Sequence, residues 1–391
     1  MYNNNDLSLY LHIPFCKEKC FYCDFLSFKG REAFFEDYKR ALILEIEHYA
    51  RELHYNALNV KTIFIGGGTP SVMPVGYISD ILEALYSNFN VCENAEISIE
   101  ANPGTLSYNK IKNFKDFGIN RISLGLQAYN NNLLKRIGRI HNIRDFVENY
   151  NNIRKVGINN INVDLMFSLP NQTLTDFKHT LKNIIELNPE HISTYSLILE
   201  EDTKFFDMYN NDEFELATDE LDREYYYMAK DMLSKSNYNL YEISNFAKPN
   251  KECKHNLVYW ERKQYLGLGL GASSYLVDYS NSTIVRRQNI TDLEDYIFNV
   301  THDNFINNYT QEFLSIEHLY SEFIFLGLRV TKGVSKQAFY DEFGINIESI
   351  YNEQIQKFIE YGLLEEYNNY DRIRLTPKGV DLSNTVFTEF L

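Results

Sequence analysis

The sequence lacks features that a membrane protein, an exported protein or a nucleic-acid-binding protein needs. It has no apolar run of the roughly 18–20 residues that span a bilayer. Its first residues, MYNNNDLSLYLH, have no basic segment followed by an apolar one, so we expect no secretory signal. Basic residues are scarce, with 38 Lys and Arg against 54 Asp and Glu and a net charge of −16. We therefore expect no intrinsic membrane anchor and no nucleic-acid partner, because no broad basic face is available for phosphates.

Cysteine is also scarce, and its distribution is uneven. Five cysteines in 391 residues form an odd set that does not suit a disulfide framework, so we expect a reducing, cytoplasmic environment. Three of them lie in IPFCKEKCFYCDF, residues 13–25, with Cys-x3-Cys-x2-Cys spacing. Cys92 stands apart and is interpreted as an inert structural thiol.

Three thiolates in one short loop indicate a soft metal centre, either zinc or an iron–sulfur cluster. The zinc alternative would use four ligands: Cys16, Cys20, Cys23 and His12. Structural zinc, however, generally joins two separated ligand pairs. A four-iron, four-sulfur (4Fe-4S) cluster held by three thiolates leaves one iron open to a small chelating molecule. The amine and carboxylate of S-adenosylmethionine would form such a chelate.

Apolar runs alternate with helical patterns as far as about residue 245. The predicted strands are 7–13, 60–66, 95–102, 120–127, 161–169 and 191–198. The predicted helices are 31–54, 75–89, 107–117, 143–156 and 173–187. This alternation is typical of parallel βαβ units and predicts an α/β fold, a full or partial (β/α) barrel. A doubly wound open sheet is the alternative.

Three regions are predicted along the chain. Residues 1–245 form the barrel with its N-terminal cysteine loop. Residues 246–310 form a segment that closes the barrel. Residues 311–391 form a mostly helical, winged-helix-like domain, in which helix, short hairpin and helix follow one another from 355 onward. The tail carries mixed charge, which favours a packing role over DNA binding.

Glycines and polar residues collect where predicted strands end. GGGTPS (66–71) follows the second strand, and successive glycines allow a ligand to approach backbone N–H groups closely. Glu100, Gln127 and Asp164 lie at or near later strand ends, and Arg139 lies in a loop. The carboxyl ends of barrel strands carry binding side chains, so these residues are candidates for ligand contact.

These motifs together resemble a known family. YLHIPFCKEKCFYCDF, GGGTPS, SIEANP, SLGLQAYN, GRIH and VDLMFSLPNQT are similar to the oxygen-independent coproporphyrinogen III oxidase-like branch of the radical S-adenosylmethionine superfamily. The resemblance implies that Cys16, Cys20 and Cys23 hold the 4Fe-4S cluster. It implies contacts to the cluster-bound S-adenosylmethionine from Tyr10, Gly67 and Glu100. It implies contacts to a second molecule, as in the true oxidases, from Tyr22, Gly68, Thr69, Gln127, Arg139 and Asp164.

Three departures separate the sequence from the true oxidases. Phe25 stands where the oxidases have a further cysteine. Tyr10 already lies in the first strand, so the N-terminal extension of the oxidases is expected to be missing. CKHNLVYW (253–260) resembles the His-Asn-x-x-Tyr-Trp marker of the HemW-type haem chaperones. That resemblance implies haem contact from His255, Cys253, Tyr259 and Trp260, with His255 the first candidate iron ligand, Cys253 the second and His141 a weaker alternative.

The function expected from this resemblance is a haem chaperone that binds haem and passes it to a haem-dependent acceptor protein. Its cofactors would be the 4Fe-4S cluster, S-adenosylmethionine and haem, and its reductant a flavodoxin or ferredoxin. Two alternatives stay open. One is an oxidase that decarboxylates two propionates of coproporphyrinogen III, and the other is a radical methyltransferase or another tetrapyrrole-modifying enzyme. Whether the scaffold is catalytic is left undecided.

Overall fold

The computed structural model describes residues 5–52, 58–278 and 283–391. The end of the predicted helix 31–54 lies outside these residues. Up to residue 313 the chain is a mixture of strands and helices. The strands are β1 (Asp6–Ile13), β2 (Phe15–Cys16), β3 (Phe28–Lys29), β4 (Asn59–Gly67), β5 (Asn90–Ala101), β6 (Arg121–Gln127), β7 (Ile161–Phe167), β8 (His191–Ser196), β9 (Asn239–Leu240), β10 (Asn245–Ala247), β11 (Tyr265–Leu268), β12 (Ser273–Asp278), β13 (Thr283–Asn289) and β14 (Tyr309–Phe313). The helices are α1 (Phe35–Glu52), α2 (Val75–Asn88), α3 (Tyr108–Asp116), α4 (Asn131–Arg136), α5 (Ile143–Val156), α6 (Leu174–Leu187), α7 (Lys204–Asn210), α8 (Asp219–Ser234), α9 (Lys254–Trp260) and α10 (Leu293–Thr301).

One large sheet organises this part of the molecule. Its strand order is β14-β13-β12-β11-β1-β4-β5-β6-β7-β8-β10-β9. Every pairing from β11 to β8 is parallel, and the strands on both flanks are antiparallel. From β1 to β8 the parallel strands pair in chain order, and α1 packs on α2, α2 on α3 and α3 on α5. The fold is therefore a partial (β/α) barrel, because a doubly wound sheet would reverse its strand order.

The two faces of the parallel strands differ sharply in polarity. Side chains alternate along a strand, so every second residue faces the helices. The residues facing the helices are aliphatic and buried, for example Leu9, Ile63, Ile99, Leu124 and Val163. The residues facing the barrel lumen are mostly polar, for example Tyr10, Glu96, Glu100, Arg121, Ser123, Asp164 and His191. The helices thus supply the hydrophobic core, and the lumen is left for polar groups.

The C-terminal region has a hydrophobic core of its own. Its helices are α11 (Ile316–Gly327), α12 (Lys336–Phe343), α13 (Glu348–Glu360), α14 (Pro377–Asp381) and α15 (Ser383–Thr388). Its strands are β15 (Val334–Ser335), β16 (Leu364–Tyr367) and β17 (Arg372–Leu375), and they form a small antiparallel sheet. A helical unit with a β-hairpin confirms the predicted winged-helix-like domain. The division at residues 245 and 310 stays a prediction, and the large sheet runs across both positions through β10 and β14.

The C-terminal region docks onto the barrel beside α9. Arg262 forms an ion pair with Glu342 at 2.5 Å, and its guanidinium lies 5.2 Å from the centroid of the Phe323 ring. The guanidinium of Arg329 lies 4.5 Å from the centroid of the Trp260 ring. Within the described ranges, no helix is long and apolar enough to cross a membrane.

Candidate functional site

The loop that carries the three cysteines stretches across the carboxyl-end mouth of the barrel. The backbone N–H of Phe21 donates to the carbonyl of Ile137 at 3.1 Å, and the N–H of Phe205 donates to the carbonyl of Phe21 at 2.8 Å. The loop between β1 and α1 is therefore tied to the end of α4, which follows β6, and to α7, which follows β8. Gly138 has φ 79°, and a Cβ there would lie 2.6 Å from the Phe21 ring. Because Gly138 has no side chain, the Phe21 ring of the cysteine loop can pack this closely against it.

The three cysteines are half-buried free thiols. Cys16 Sγ lies 3.4 Å from Thr69 Oγ1. Burial raises the pKa of Cys16 above its usual range and that of Cys23 to about 11. In the residues that the structure describes, no set of three or more His, Cys, Asp or Glu side chains converges so that it could hold a metal ion. Three thiols in one loop suit a 4Fe-4S cluster, in which each thiolate binds its own iron.

His12 does not serve the cysteine loop as the zinc alternative requires. Its Nδ1 is 3.0 Å from the Tyr10 hydroxyl, and its Nε2 is 2.8 Å from the carbonyl of Leu26. Because a carbonyl only accepts, Nε2 carries the proton and Nδ1 accepts from Tyr10. Both ring nitrogens are occupied, so His12 holds the end of the cysteine loop in place and is not free as a fourth ligand.

A chain of hydrogen bonds connects the cysteine loop with the ends of β4 and β5. Asn102 Nδ2 donates to Thr69 Oγ1 at 2.9 Å. Arg139 donates through Nη1 to Asn102 Oδ1 at 2.5 Å and through Nη2 to the Tyr22 hydroxyl at 3.1 Å. Three of the predicted contact residues, Thr69, Arg139 and Tyr22, are thus brought together around Asn102, which was missed. Its place directly after Glu100-Ala101, at the same strand end, is the signal that could have identified it.

The glycine stretch at the end of β4 passes directly beneath the cysteine loop. Gly67 has φ 114°, and a Cβ there would lie 2.6 Å from the ring of His12. A Cβ on Gly68 would lie 2.7 Å from the carbonyl oxygen of Phe15. Glycine is therefore required here for close passage of two backbone segments as well as for φ. The N–H of Gly67 donates to Glu100 Oε2 at 3.0 Å, which places that carboxyl group at the strand end.

Glu100, Asp164 and Gln127 share the upper lumen. Burial, with the nearby charge of Asp164, raises the pKa of Glu100 to about 8. Asp164 is held by Ser123 Oγ at 2.9 Å and by Asn162 Nδ2 at 2.7 Å, so this carboxylate has the partners that its position in a strand demands. Gln127 is buried at the end of β6 with φ 72°. The mouth therefore offers carboxyl groups and a guanidinium, which suit the ammonium, carboxylate and hydroxyl groups of an amino-acid nucleoside.

The His-Asn-x-x-Tyr-Trp segment forms α9, which fills the lower end of the lumen. His255 is 1% exposed. Its Nδ1 lies 2.7 Å from Thr62 Oγ1 and its Nε2 lies 2.9 Å from the Tyr259 hydroxyl. Burial, with the charge of Arg121, lowers the pKa of His255 to about 3, so the imidazole is neutral.

The other predicted haem-contact residues lie around the same short helix. Cys253 precedes α9 and is fully buried, and burial raises the pKa of its thiol to about 12. Tyr259 and Trp260 are half-buried, Tyr259 toward the lumen beside His255 and Trp260 toward Arg329 of the C-terminal region. The four residues are thus adjacent along the helix but point to different surroundings. Haem contact by them stays a prediction.

Comparison with known proteins accounts for most of the chain. A model described as Radical SAM superfamily matches residues 10–184, and one described as HemN C-terminal domain matches residues 314–382. A relative from Lactococcus lactis, named Heme chaperone HemW, is 38% identical over 98% of this chain and 97% of its own length. The chain belongs to the HemW family of radical S-adenosylmethionine proteins.

Two further comparisons agree with membership of the HemW family. A Bacillus subtilis protein, also named Heme chaperone HemW, is 35% identical over 98% of this chain and 99% of its own length. The solved structure of coproporphyrinogen III oxidase (HemN) from Escherichia coli, described as a radical SAM enzyme, superposes with a TM-score of 0.85. It is 24% identical and covers 100% of this chain and 91% of that chain, which establishes a shared fold.

The radical S-adenosylmethionine family implies a 4Fe-4S cluster and S-adenosylmethionine, and the donor set at the mouth fits both. Three thiols lie in one loop, and a glycine strand end and a carboxyl group lie beneath it. The individual ligand contacts predicted for Tyr10, Tyr22, Gly67, Gly68, Thr69, Glu100, Gln127, Arg139 and Asp164 stay predictions. Phe64 and Thr62 were missed as lumen residues. Counting back in steps of two from Gly66 along β4 would have placed both on the lumen face.

Proposed function

We propose that this protein is a haem chaperone, which binds haem and transfers it to a haem-dependent acceptor protein. The observation that carries the proposal is the likeness, at 38% identity over 98% of the chain, to a relative named Heme chaperone HemW. Phe25, which is 63% exposed, stands where the resemblance to the oxidases would require a further cysteine. This departure favours the chaperone over coproporphyrinogen III decarboxylation.

In this proposal the mouth of the barrel retains the radical-type site. Cys16, Cys20 and Cys23 would hold the 4Fe-4S cluster, and Tyr10, Gly67 and Glu100 would contact S-adenosylmethionine. A second molecule would contact Tyr22, Gly68, Thr69, Gln127, Arg139 and Asp164. When reduced, such a cluster supplies the electron that cleaves the sulfonium to a carbon radical. The chain itself contributes a closed loop over the cluster and fixed polar groups around the ligand.

The partners in this proposal are haem, an acceptor protein and a reductant such as a flavodoxin or ferredoxin. The proposed location is the cytoplasm, where the five free cysteines would stay reduced. Haem ligation is assigned to His255, with Cys253, Tyr259 and Trp260 around it. Since both ring nitrogens of His255 have partners at 2.7 and 2.9 Å, iron ligation there requires one of these hydrogen bonds to open.

The haem proposal is tested by anoxic titration of the cluster-loaded protein with haem, followed by absorption. We expect wild-type protein to take up haem and His255→Ala to lose at least about tenfold in affinity, because an axial iron ligand is removed. His191→Ala is the matched control. His191 is also a fully buried lumen histidine, with Asn162 at 2.6 Å and Tyr241 at 2.9 Å from its two ring nitrogens. Equal haem uptake by wild type and His255→Ala would contradict the assignment.

Transfer is tested by mixing the haem-loaded protein with a haem-free b-type cytochrome. The chaperone proposal expects the absorption of the holo-cytochrome to appear. Conversion of coproporphyrinogen III into protoporphyrinogen IX by the reconstituted protein would instead favour the oxidase alternative.

Binding of S-adenosylmethionine is expected to strengthen as the pH rises toward 8. Burial raises the pKa of Glu100 to about 8, so its carboxyl is largely protonated at lower pH. A cationic ligand favours the carboxylate, and below pH 8 binding must therefore expel a proton. A carboxyl group of pKa about 8 is about 1% ionised at pH 6 and half ionised at pH 8, so we expect affinity to rise by up to about fiftyfold between these pH values, measured by calorimetry in buffers of different ionisation enthalpy.

Glu100→Gln is the control for this pH dependence. The ligand's own amine titrates equally with both proteins, so the difference between them isolates Glu100. Identical pH profiles for wild type and Glu100→Gln would exclude a contribution from this carboxyl group.

A further inference from the structure

Three aromatic rings separate the upper part of the lumen, at the carboxyl ends of the strands, from its buried lower part. Tyr10, Phe64 and Tyr259 are half-buried and face the open part, whereas His255 beneath them is only 1% exposed. Tyr10 and Phe64 are cross-strand neighbours in β1 and β4. His255, which the haem proposal uses, therefore lies against Tyr10, which the S-adenosylmethionine proposal uses.

The Phe64 ring packs against the rings of both His255 and Tyr10. The centroid of His255 lies 5.2 Å from that of Phe64, with 25° between the planes. Phe64 in turn lies 6.3 Å from Tyr10, with 21° between the planes. Spacings of this size are those of interacting aromatic pairs, each of which stabilises the arrangement by about 0.5–1.5 kcal/mol. Tyr10 and His255 also lie 6.4 Å apart, with 32° between the planes, so the three rings form a cluster in which His255 contacts both of the others.

Within this ring cluster, Tyr10 is connected to the cysteine loop by hydrogen bonds. The Tyr10 hydroxyl donates to His12 Nδ1 at 3.0 Å, and His12 Nε2 donates to the carbonyl of Leu26 at 2.8 Å. Leu26 lies three residues after Cys23. Support from below by His255 and anchoring from above by His12 therefore act on the same Tyr10 ring.

Iron ligation and support of the Tyr10 ring require different positions of the His255 side chain. The neutral imidazole has one N–H and one lone pair, and both are used by the hydroxyls of Thr62 and Tyr259. Iron needs the lone pair in the plane of the ring, and a porphyrin needs open space around that nitrogen. The ring must then leave its buried position under Phe64, which removes the support beneath Tyr10.

We propose that His255 is a positioning residue for the S-adenosylmethionine site, and that haem ligation at His255 and S-adenosylmethionine binding at Tyr10 oppose each other. This inference rests on the proposed function. Opposition between two ligands is reciprocal: haem weakens S-adenosylmethionine binding by the same factor by which S-adenosylmethionine weakens haem binding. Release of haem is then promoted by S-adenosylmethionine.

The test measures both affinities on anoxic, cluster-loaded protein, each with and without the other ligand. We expect each ligand to weaken the other by about tenfold, with equal factors in the two directions. In Phe64→Leu, which keeps an apolar side chain but removes the ring packed against both Tyr10 and His255, the factor is expected to fall by about half or more, since only the direct contact between Tyr10 and His255 remains. If His255 had a purely structural role, the two ligands would bind independently and both factors would be close to one.

Phe298→Leu is the matched control for loss of a phenylalanine–histidine stack. Phe298 stacks on His302 with centroids 4.2 Å apart, but it is 57% exposed and lies on α10, outside the lumen. This variant is expected to keep the wild-type coupling factor. Independent binding of the two ligands by wild type, or an unchanged factor in Phe64→Leu, would overturn the proposal.

A haem-free arm separates this inference from the proposed function. S-adenosylmethionine affinity is compared between wild type, His255→Ala and His191→Ala, with no haem present. The inference expects a loss of about fivefold or more in His255→Ala alone, and an unchanged affinity overturns the positioning role. If no haem is taken up at all, the proposed function and the antagonism both fail, and this arm still decides whether His255 supports the site.

Discussion

Cys20→Ala is expected to lower the iron and sulfide content of the anoxically reconstituted protein by about tenfold or more. A 4Fe-4S cluster in this family rests on three thiolates, and two neighbouring thiols cannot replace the third. The loop offers no substitute, because His12 is occupied by Tyr10 and Leu26 through both ring nitrogens. Iron and sulfide analysis, with the cluster's absorption near its sulfur-to-iron charge-transfer bands, provides the measurement.

Cys92→Ala is the control for this loss. Cys92 is also a half-buried free thiol, but it lies in β5, outside the cysteine loop. We expect it to keep the full iron and sulfide content. Retention of a complete cluster by Cys20→Ala, or equal loss in both variants, would contradict the assignment of the loop.

Glu45→Ala is expected to destabilise the barrel by about 3–5 kcal/mol, seen as a lower urea midpoint. The Glu45 carboxyl is fully buried in α1 and accepts from Gly269 N, Asn289 Nδ2 and Tyr296 Oη, each at 2.7 Å. It thus ties the first helix to the segment that follows β11. Its removal leaves the N–H of Gly269 and the hydroxyl of Tyr296 without this acceptor, and also one of the two N–H groups of Asn289 Nδ2, whose other N–H donates to the carbonyl of Gly269.

The loss in Glu45→Ala is expected to be larger at pH 5 than at pH 8. Burial raises the pKa of Glu45 to about 7, above its value in the unfolded chain. The contribution of this group to stability is therefore fully present below about pH 4.5 and is lost as the pH rises through 7. Glu45→Gln should lose only about 1–2 kcal/mol, since the amide oxygen can still accept.

Asp37→Ala, an exposed carboxylate on the same helix, serves as the control and should change stability by less than about 1 kcal/mol. A Glu45→Ala protein as stable as wild type would show that the three donors find other partners.

The barrel strands were predictable because each is a local apolar run between turn signals. The predicted strand 60–66 appears as Asn59–Gly67, and the predicted strand 191–198 appears as His191–Ser196. Helix 31–54 begins later, at Phe35, because residues 32–34 form a separate 3-10 turn. The antiparallel strands on the two flanks of the sheet were not assigned, since short strands there carry little periodicity and owe their pairing to neighbours distant in the chain.

The sequence by itself determined which types of side chain can bind a cluster and which side chains share one face of a helix. Cys-x3-Cys-x2-Cys predicts a loop that binds a cluster. The four-residue spacing of His255 and Tyr259 places both on one face of a helix, where His255 Nε2 lies 2.9 Å from the Tyr259 hydroxyl. Only the tertiary structure decided where these faces point. It joins Thr69, Asn102 and Arg139 beneath the loop, engages both ring nitrogens of His12, and buries His255 against Phe64. The reason is physical: contacts within one helical turn follow from backbone geometry, whereas contacts across many residues depend on strand order and register, which the whole fold sets.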